Sequence, residues 1–285
     1  NILLKLKPEG IKTLRLGAPA KVHPDVQEFA ILAGQPMKTF DEIKDAWHGT
    51  PVVATTCLGI NHTVFQERSF DYCIVDEASQ ITLPTCLGPL RFADRFVLVG
   101  DHFQLPPLVR NPIARDGGLE VSLFKRLSEA HPDSVASLTA QYRMNADIMA
   151  ISNKLVYSGR LRCGNEEVAN LSLRLPEFGK AMEHLHSDPA NSCTGDASCW
   201  LAQVLDPAHK ALLIDTDATT AMESRTGDLV ENPGEAKIIS EIVHAMVSSG
   251  VSPHDIAVIT PYRQQIKLLT HTLLRRGHPD VEILT

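Results

Sequence analysis

FDYCIVDEASQ, residues 70–80, runs a strand-like, mostly apolar segment (71–75) straight into two adjacent carboxylates, Asp76 and Glu77. Two like charges side by side at the end of an apolar strand cost free energy unless something there receives them. The segment shows no period-two alternation, which is the pattern of a parallel strand covered on both faces. In phosphate-handling α/β proteins a carboxylate at the carboxyl end of such a strand holds Mg²⁺, and its neighbour can orient or deprotonate the attacking water. Alone, the pair reads as readily as a cap for the next helix, so the rest of the chain has to decide.

Outward from this stretch, similar short apolar runs recur at 52–54, 96–99, 211–214 and 256–259, each expected to be a central strand. Helical patterns lie between them: Leu123, Phe124 and Leu127 before His131-Pro132, and Ile148, Ile151 and Leu155 before Gly159. At 233–249, Asn232 can cap, Pro233 suits the first turn, and Ile238, Ile239, Ile242, Val243 and Met246 form one stripe ending at Gly250. Strands alternating with helices predict an α/β fold with parallel sheets. A length of 285 residues suits two domains, with a joint expected near 132–137, hence 1–134 and 135–285. Residues 164–209 break the rhythm and are expected to be an irregular insertion.

Composition sets outer bounds. With 44% hydrophobic and 21% charged residues and no apolar run of about 20 residues, no membrane span and no membrane partner are expected. The first residues read like the middle of an amphipathic helix, so the chain is expected to be a piece of a longer one. Six cysteines at irregular spacings suit reduced thiols better than a disulfide framework. A formal net charge of −7 removes whole-molecule attraction to nucleic acid as an argument and leaves only local basic sites.

Four further stretches carry chemistry. In FVLVGDHFQLPP (96–107) a second apolar strand ends in a turn, and Gln104 is placed to reach a γ-phosphate or its water. In LTAQYRMN (138–145), Arg143 offers a guanidinium for charge developing on a transferred phosphoryl group and Tyr142 a ring for a base. VVATTCLGI (52–60) and VITPYRQQ (258–265) each follow a strand with residues suited to the backbone of a single strand: Thr55 and Thr56 in one, Thr260, Tyr262 and Arg263 in the other. Taken singly, each is equally a turn, a cap or a surface ion pair. Glu183, His184, His186, Cys193 and Cys199 match no tight zinc-site spacing.

Together, DEASQ, GDHFQLPP, QYRMN and TPYRQQ, in this order and spacing, resemble the motifs of superfamily one helicases of the 5′-to-3′ group, and in particular the branch that couples a helicase to a nuclease. The resemblance is strong over about 50–162, returns over 232–285 and is weak over 164–231. It implies two RecA-like α/β domains with parallel sheets, ATP between them and single-stranded or flap DNA across both. Carried over by position, it makes Asp76 the Mg²⁺ ligand, Glu77 the water activator, Gln104 the γ-phosphate sensor, Tyr142 the adenine-stacking ring and Arg143 the γ-phosphate partner. Phe103 stands where the family usually carries a polar residue. No G-x-x-x-x-G-K-[ST] string occurs in the chain, so the phosphate-binding loop is expected before Asn1, and this stretch alone is expected to be inactive. The resemblance further implies a nuclease domain with an iron–sulfur cluster elsewhere in the protein, replication and repair partners including a single-strand-binding protein, and a nuclear location with mitochondria as a second compartment. An RNA helicase of the same group, and a non-catalytic nucleic-acid interaction module, remain as alternatives.

Overall fold

The computed structural model describes residues 2–17, 24–29, 39–187, 199–219, 221–227 and 229–285. The chain divides into two compact units, Asn1–Ser137 and Leu138–Thr285. Among the described residues no helix is long and apolar enough to cross a membrane.

The first unit holds strands β1 (Thr13–Arg15), β2 (Val52–Ala54), β3 (Phe70–Val75) and β4 (Ala93–Leu98). Its helices are α1 (Ile2–Leu6), α2 (Phe40–Gly49), α3 (Val64–Glu67), α4 (Leu83–Leu90), α5 (Pro112–Ala114) and α6 (Leu123–Ala130). β1 pairs with β2 and β3 with β4, both in parallel, with Leu14 opposite Val53 and Cys73 opposite Phe96. Helix starts are written in local chemistry. Thr39 and Glu42 close a capping box on α2, and the buried Ser122 hydroxyl accepts the Lys125 N–H at 3.1 Å to start α6. One core gathers Leu14, Leu16, Val64 and Phe65, and another gathers Val75, Ala78 and Cys86 under Leu98, Leu123 and Phe124. Burial pushes the Cys86 thiol up to about 11, with Cys57 and Cys73 adding to the shift. The described cysteines are all free thiols.

The strands were expected to be covered on both faces, and here the structure corrects the sequence. Tyr72 is 55% exposed, Ile74 65%, Phe96 49% and Val97 46%. Each described sheet is two strands wide. The apolar run reports the composition of the strand, not what lies over it.

The second unit holds β5 (Ala140–Gln141), β6 (Arg162–Cys163), β7 (Ser224–Thr226), β8 (Leu229–Glu231), β9 (Ala257–Ile259) and β10 (Glu282–Leu284). Its helices are α7 (Ala146–Leu155), α8 (Glu166–Ala169), α9 (Phe178–Ser187), α10 (Trp200–Val204), α11 (Pro233–Ser248) and α12 (Arg263–Arg275). β5 pairs with β6 and β9 with β10 in parallel, while β7 and β8 form an antiparallel hairpin. α11 starts as its sequence dictates: Asn232 Oδ1 accepts the Glu235 N–H at 3.0 Å, and Pro233 occupies the first turn. Its Ala236 and Val243 pack with Val258 of β9 and Leu269 and Leu273 of α12. Full burial of such side chains is worth roughly 1.5–3 kcal/mol each.

One expectation fails in this unit. Residues 211–214 form no strand, and Leu213 is 94% exposed; an apolar run without a partner strand has no ladder to join. The described parts of 164–209 mix helices with stretches, such as 170–177, that are neither helix nor strand. α9 and α10 bury Met182, Leu185, Cys199, Leu201 and Leu205 against Ala245 of α11. The Pro/Gly/Ser-rich heart of that segment, 188–198, lies outside the described residues. Cys193 therefore cannot be placed, and the described His, Cys, Asp and Glu side chains form no group of three able to hold a metal.

Candidate nucleotide site and nucleic-acid interface

In a parallel sheet all carboxyl ends point one way, so the loops after β3 and β4 emerge side by side, where ligands of open α/β sheets bind. The Val99 N–H donates to Val75 O and the Ala78 N–H to Val99 O, both at 2.8 Å, carrying the pairing past the formal strand ends. Between those bonds sit Asp76 and Glu77, both exposed. Glu77 adopts φ 53° and ψ 35°, a left-handed conformation that a side chain with a Cβ holds at about 1–3 kcal/mol. The loop around it is tied down. Asp76 Oδ1 accepts the Glu77 N–H at 3.1 Å, and Gln80 Nε2 donates to Glu77 Oε2 at 2.8 Å.

Gln104 is brought to the same edge by a second set of bonds. Its Nε2 donates to Asp101 Oδ2 at 3.0 Å, Asp101 Oδ1 accepts the Phe103 N–H at 3.0 Å, and the Asp101 N–H donates to Ser79 Oγ at 3.2 Å. Ser79, 3% exposed, thus joins the loop of the carboxylates to the loop of Gln104. Gly100 makes this possible: a Cβ there would lie 2.9 Å from the Ser79 nitrogen. Gly100→Ala is expected to lower stability by about 1–3 kcal/mol in chemical denaturation. An unchanged midpoint and slope would show that the loops do not need this approach. Phe103, which departs from the expected polar residue, is 50% exposed with its ring against His102 at 4.3 Å. Thr55 and Thr56 follow β2, also at a carboxyl end, where the Gly59 N–H donates to Thr56 O at 2.8 Å.

In the second unit a single side chain organises the loop after β5. Gln141 Oε1 accepts the N–H groups of Arg143 (2.9 Å) and Met144 (2.8 Å), while its Nε2 donates to Met144 O at 2.7 Å. This fixes the backbone that carries Tyr142 and Arg143 and leads into the Asn145 cap of α7, which accepts the Ile148 N–H at 2.9 Å. Tyr142 is 66% exposed, and a Cβ on Gly164 would fall 2.2 Å from its ring, so glycine there lets the ring lie flat on the chain. Arg143 is exposed, and no side-chain partner is found for it among the described residues.

The loop after β9 carries the remaining predicted residues. Thr260 is buried at 8% exposure, with its hydroxyl accepting the Tyr262 N–H at 3.4 Å, so little of it faces outward. Tyr262 is 43% exposed and the exposed Arg263 opens α12. Sequence reasoning missed what holds this loop. Gln265, 4% exposed, accepts the Asn232 N–H at 2.7 Å and donates to Asn232 O at 3.1 Å, locking the start of α12 to the start of α11. The available signal was the cap at Asn232; nothing local marks a glutamine 33 residues later as its partner.

Paired carboxylates, a glutamine and a guanidinium delivered by the carboxyl ends of parallel strands define an α/β protein of the P-loop helicase type. Residues 119–285, more than half of the chain, match a protein-family model described as an AAA domain, and 35–112 match a second model of the same description. The chain belongs to the AAA-domain family. It is 45% identical over 288 residues to the DNA replication ATP-dependent helicase/nuclease DNA2 of Xenopus laevis, covering all of this chain and 27% of that protein. The Saccharomyces cerevisiae protein of the same name is 45% identical over 288 residues, 18% of its length, and the human one 45% over 290 residues, 27% of its length. The chain thus spans about a quarter or less of these relatives.

Proposed function

We propose that the chain is the motor region of an ATP-dependent DNA helicase that translocates on single-stranded DNA, with a nuclease elsewhere in the same protein. The observation that supports this most is the edge at the ends of β3 and β4, where two hydrogen-bonded sets on adjacent loops hold Asp76 and Glu77 in one and Gln104 in the other. Hard, exposed carboxylate oxygens suit Mg²⁺, so Asp76 is the ligand this chain offers it. A divalent cation held by Asp76 would supply positive charge to offset that of the phosphates. Glu77 takes a proton from the attacking water, Gln104 orients that water or senses the γ-phosphate, Tyr142 stacks on adenine and Arg143 answers charge on the transferred phosphoryl group. Thr55, Thr56, Thr260, Tyr262 and Arg263 contact the DNA strand. The relatives carry the name DNA replication ATP-dependent helicase/nuclease, which supports DNA as the substrate. Within this reading, single-stranded or flap DNA arising in replication and repair is what the motor works on. The same reading brings a single-strand-binding protein as a partner, a nuclear location with mitochondria as a second compartment, and an iron–sulfur cluster in the nuclease.

The test is phosphate release with and without single-stranded DNA. The complete protein is expected to show DNA-stimulated release and unwinding, with RNA as the comparison strand. The 285-residue stretch alone, which contains no G-x-x-x-x-G-K-[ST] string, is expected to release phosphate negligibly. A complete protein that DNA does not stimulate would overturn the function. Robust release from the stretch alone, abolished by Glu77→Gln, would overturn its dependence on a phosphate loop.

A further inference from the structure

Beside the tip of α12 lies a cavity of about 300 Å³ lined by Leu229, Val230, Pro261, Tyr262, Arg263 and Gln264. Ligand pockets start at about that size. Its walls come from two separate places, the β7–β8 hairpin and the loop after β9, and two sets of hydrogen bonds clamp them together. Gln264 Nε2 donates to Glu231 Oε2 at 3.0 Å, and Gln265 holds both backbone groups of Asn232. Two wall side chains keep much of their apolar surface open: Leu229 is 49% exposed and Tyr262 43%. Leu229 pays for no core by its position, since its neighbour Val230 is the buried member of the strand.

We infer that this cavity is a base-binding subsite for single-stranded nucleic acid. One unstacked nucleobase rests on the Tyr262 ring between Leu229 and Pro261, while the Arg263 guanidinium takes the adjoining phosphate. The inference rests on the single-strand contact proposed above and adds the hairpin to it. The chemistry favours a base over other small ligands: an aromatic face, apolar walls and one cation with no side-chain partner among the described residues. The bordering carboxylate, Glu231, is engaged by Gln264. Because every base has a π-face, such a site accepts any sequence, as a translocating motor requires.

The experiment compares binding of the complete protein to an oligothymidylate and to the same strand with abasic sugars, without ATP. Stacking of one base predicts that the base-bearing strand binds at least about fivefold more tightly. Leu229→Ser should cut that preference severalfold and leave the abasic strand's affinity unchanged, while Leu229→Met should restore it. At a half-exposed hairpin position the serine variant keeps its fold, which thermal melting checks. If the wild-type protein shows no preference, or Leu229→Ser keeps it intact, the base subsite is overturned. If Tyr262→Ala and Arg263→Ala leave the affinity for both strands at wild-type level, the underlying single-strand contact falls with it.

Discussion

Arg143→Ala in the complete enzyme is expected to lower ATPase turnover by at least about a hundredfold while ATP affinity changes far less. An arginine that meets charge only as it develops on the phosphoryl group contributes to the transition state, and such residues are worth about 10³–10⁵ in turnover. The local geometry suits that duty. Gln141 holds the backbone of the loop with three hydrogen bonds, so the guanidinium is presented from a fixed base without being spent on a neighbour. If Arg143 were an ordinary surface cation, its loss would change stability by no more than about 1 kcal/mol and leave the rate alone. Steady-state turnover and nucleotide binding, measured on the same folded variant, separate the two outcomes. Near-normal turnover would remove Arg143 from the mechanism.

Glu77→Gln should leave ATP and Mg²⁺ binding in place and abolish turnover, by about 10²–10⁴ for the loss of a general base. The substitution is informative because the site can absorb it. The amide oxygen of glutamine can still accept from Gln80, and the side chain keeps its length, so the left-handed loop at 77 need not move. What the amide cannot do is take the proton of the water. Unwinding near the wild-type rate in this variant would assign Glu77 a structural task only.

The strand ends were the most legible part of this chain, because chemistry there is written in contiguous residues: two carboxylates after β3, a glutamine after β4, tyrosine and arginine after β5. Capping was legible for the same reason, and α11 starts at Pro233 as Asn232 requires. What the sequence concealed were partnerships between distant residues. Ser79 with Asp101 and Gln265 with Asn232 are contacts across 22 and 33 residues, and no periodicity announces them. Coverage was equally hidden. The 72–75 and 211–214 runs look alike in composition, yet one pairs along β4 and the other joins no strand, since a ladder depends on a neighbour that the run itself does not encode. In 164–209 the scatter of polar and turn residues obscured α9 and α10, whose apolar faces are short and become evident only against α11.

The open face of β3 and β4 bears on how this polypeptide behaves in a test tube. Tyr72, Ile74, Val97 and Val99 line up as exposed apolar or aromatic side chains on a narrow parallel ribbon that is two strands wide among the described residues. Such a surface is adhesive. At the concentrations used for crystals or spectra another molecule can cover it, so this stretch on its own is expected to self-associate as its concentration rises.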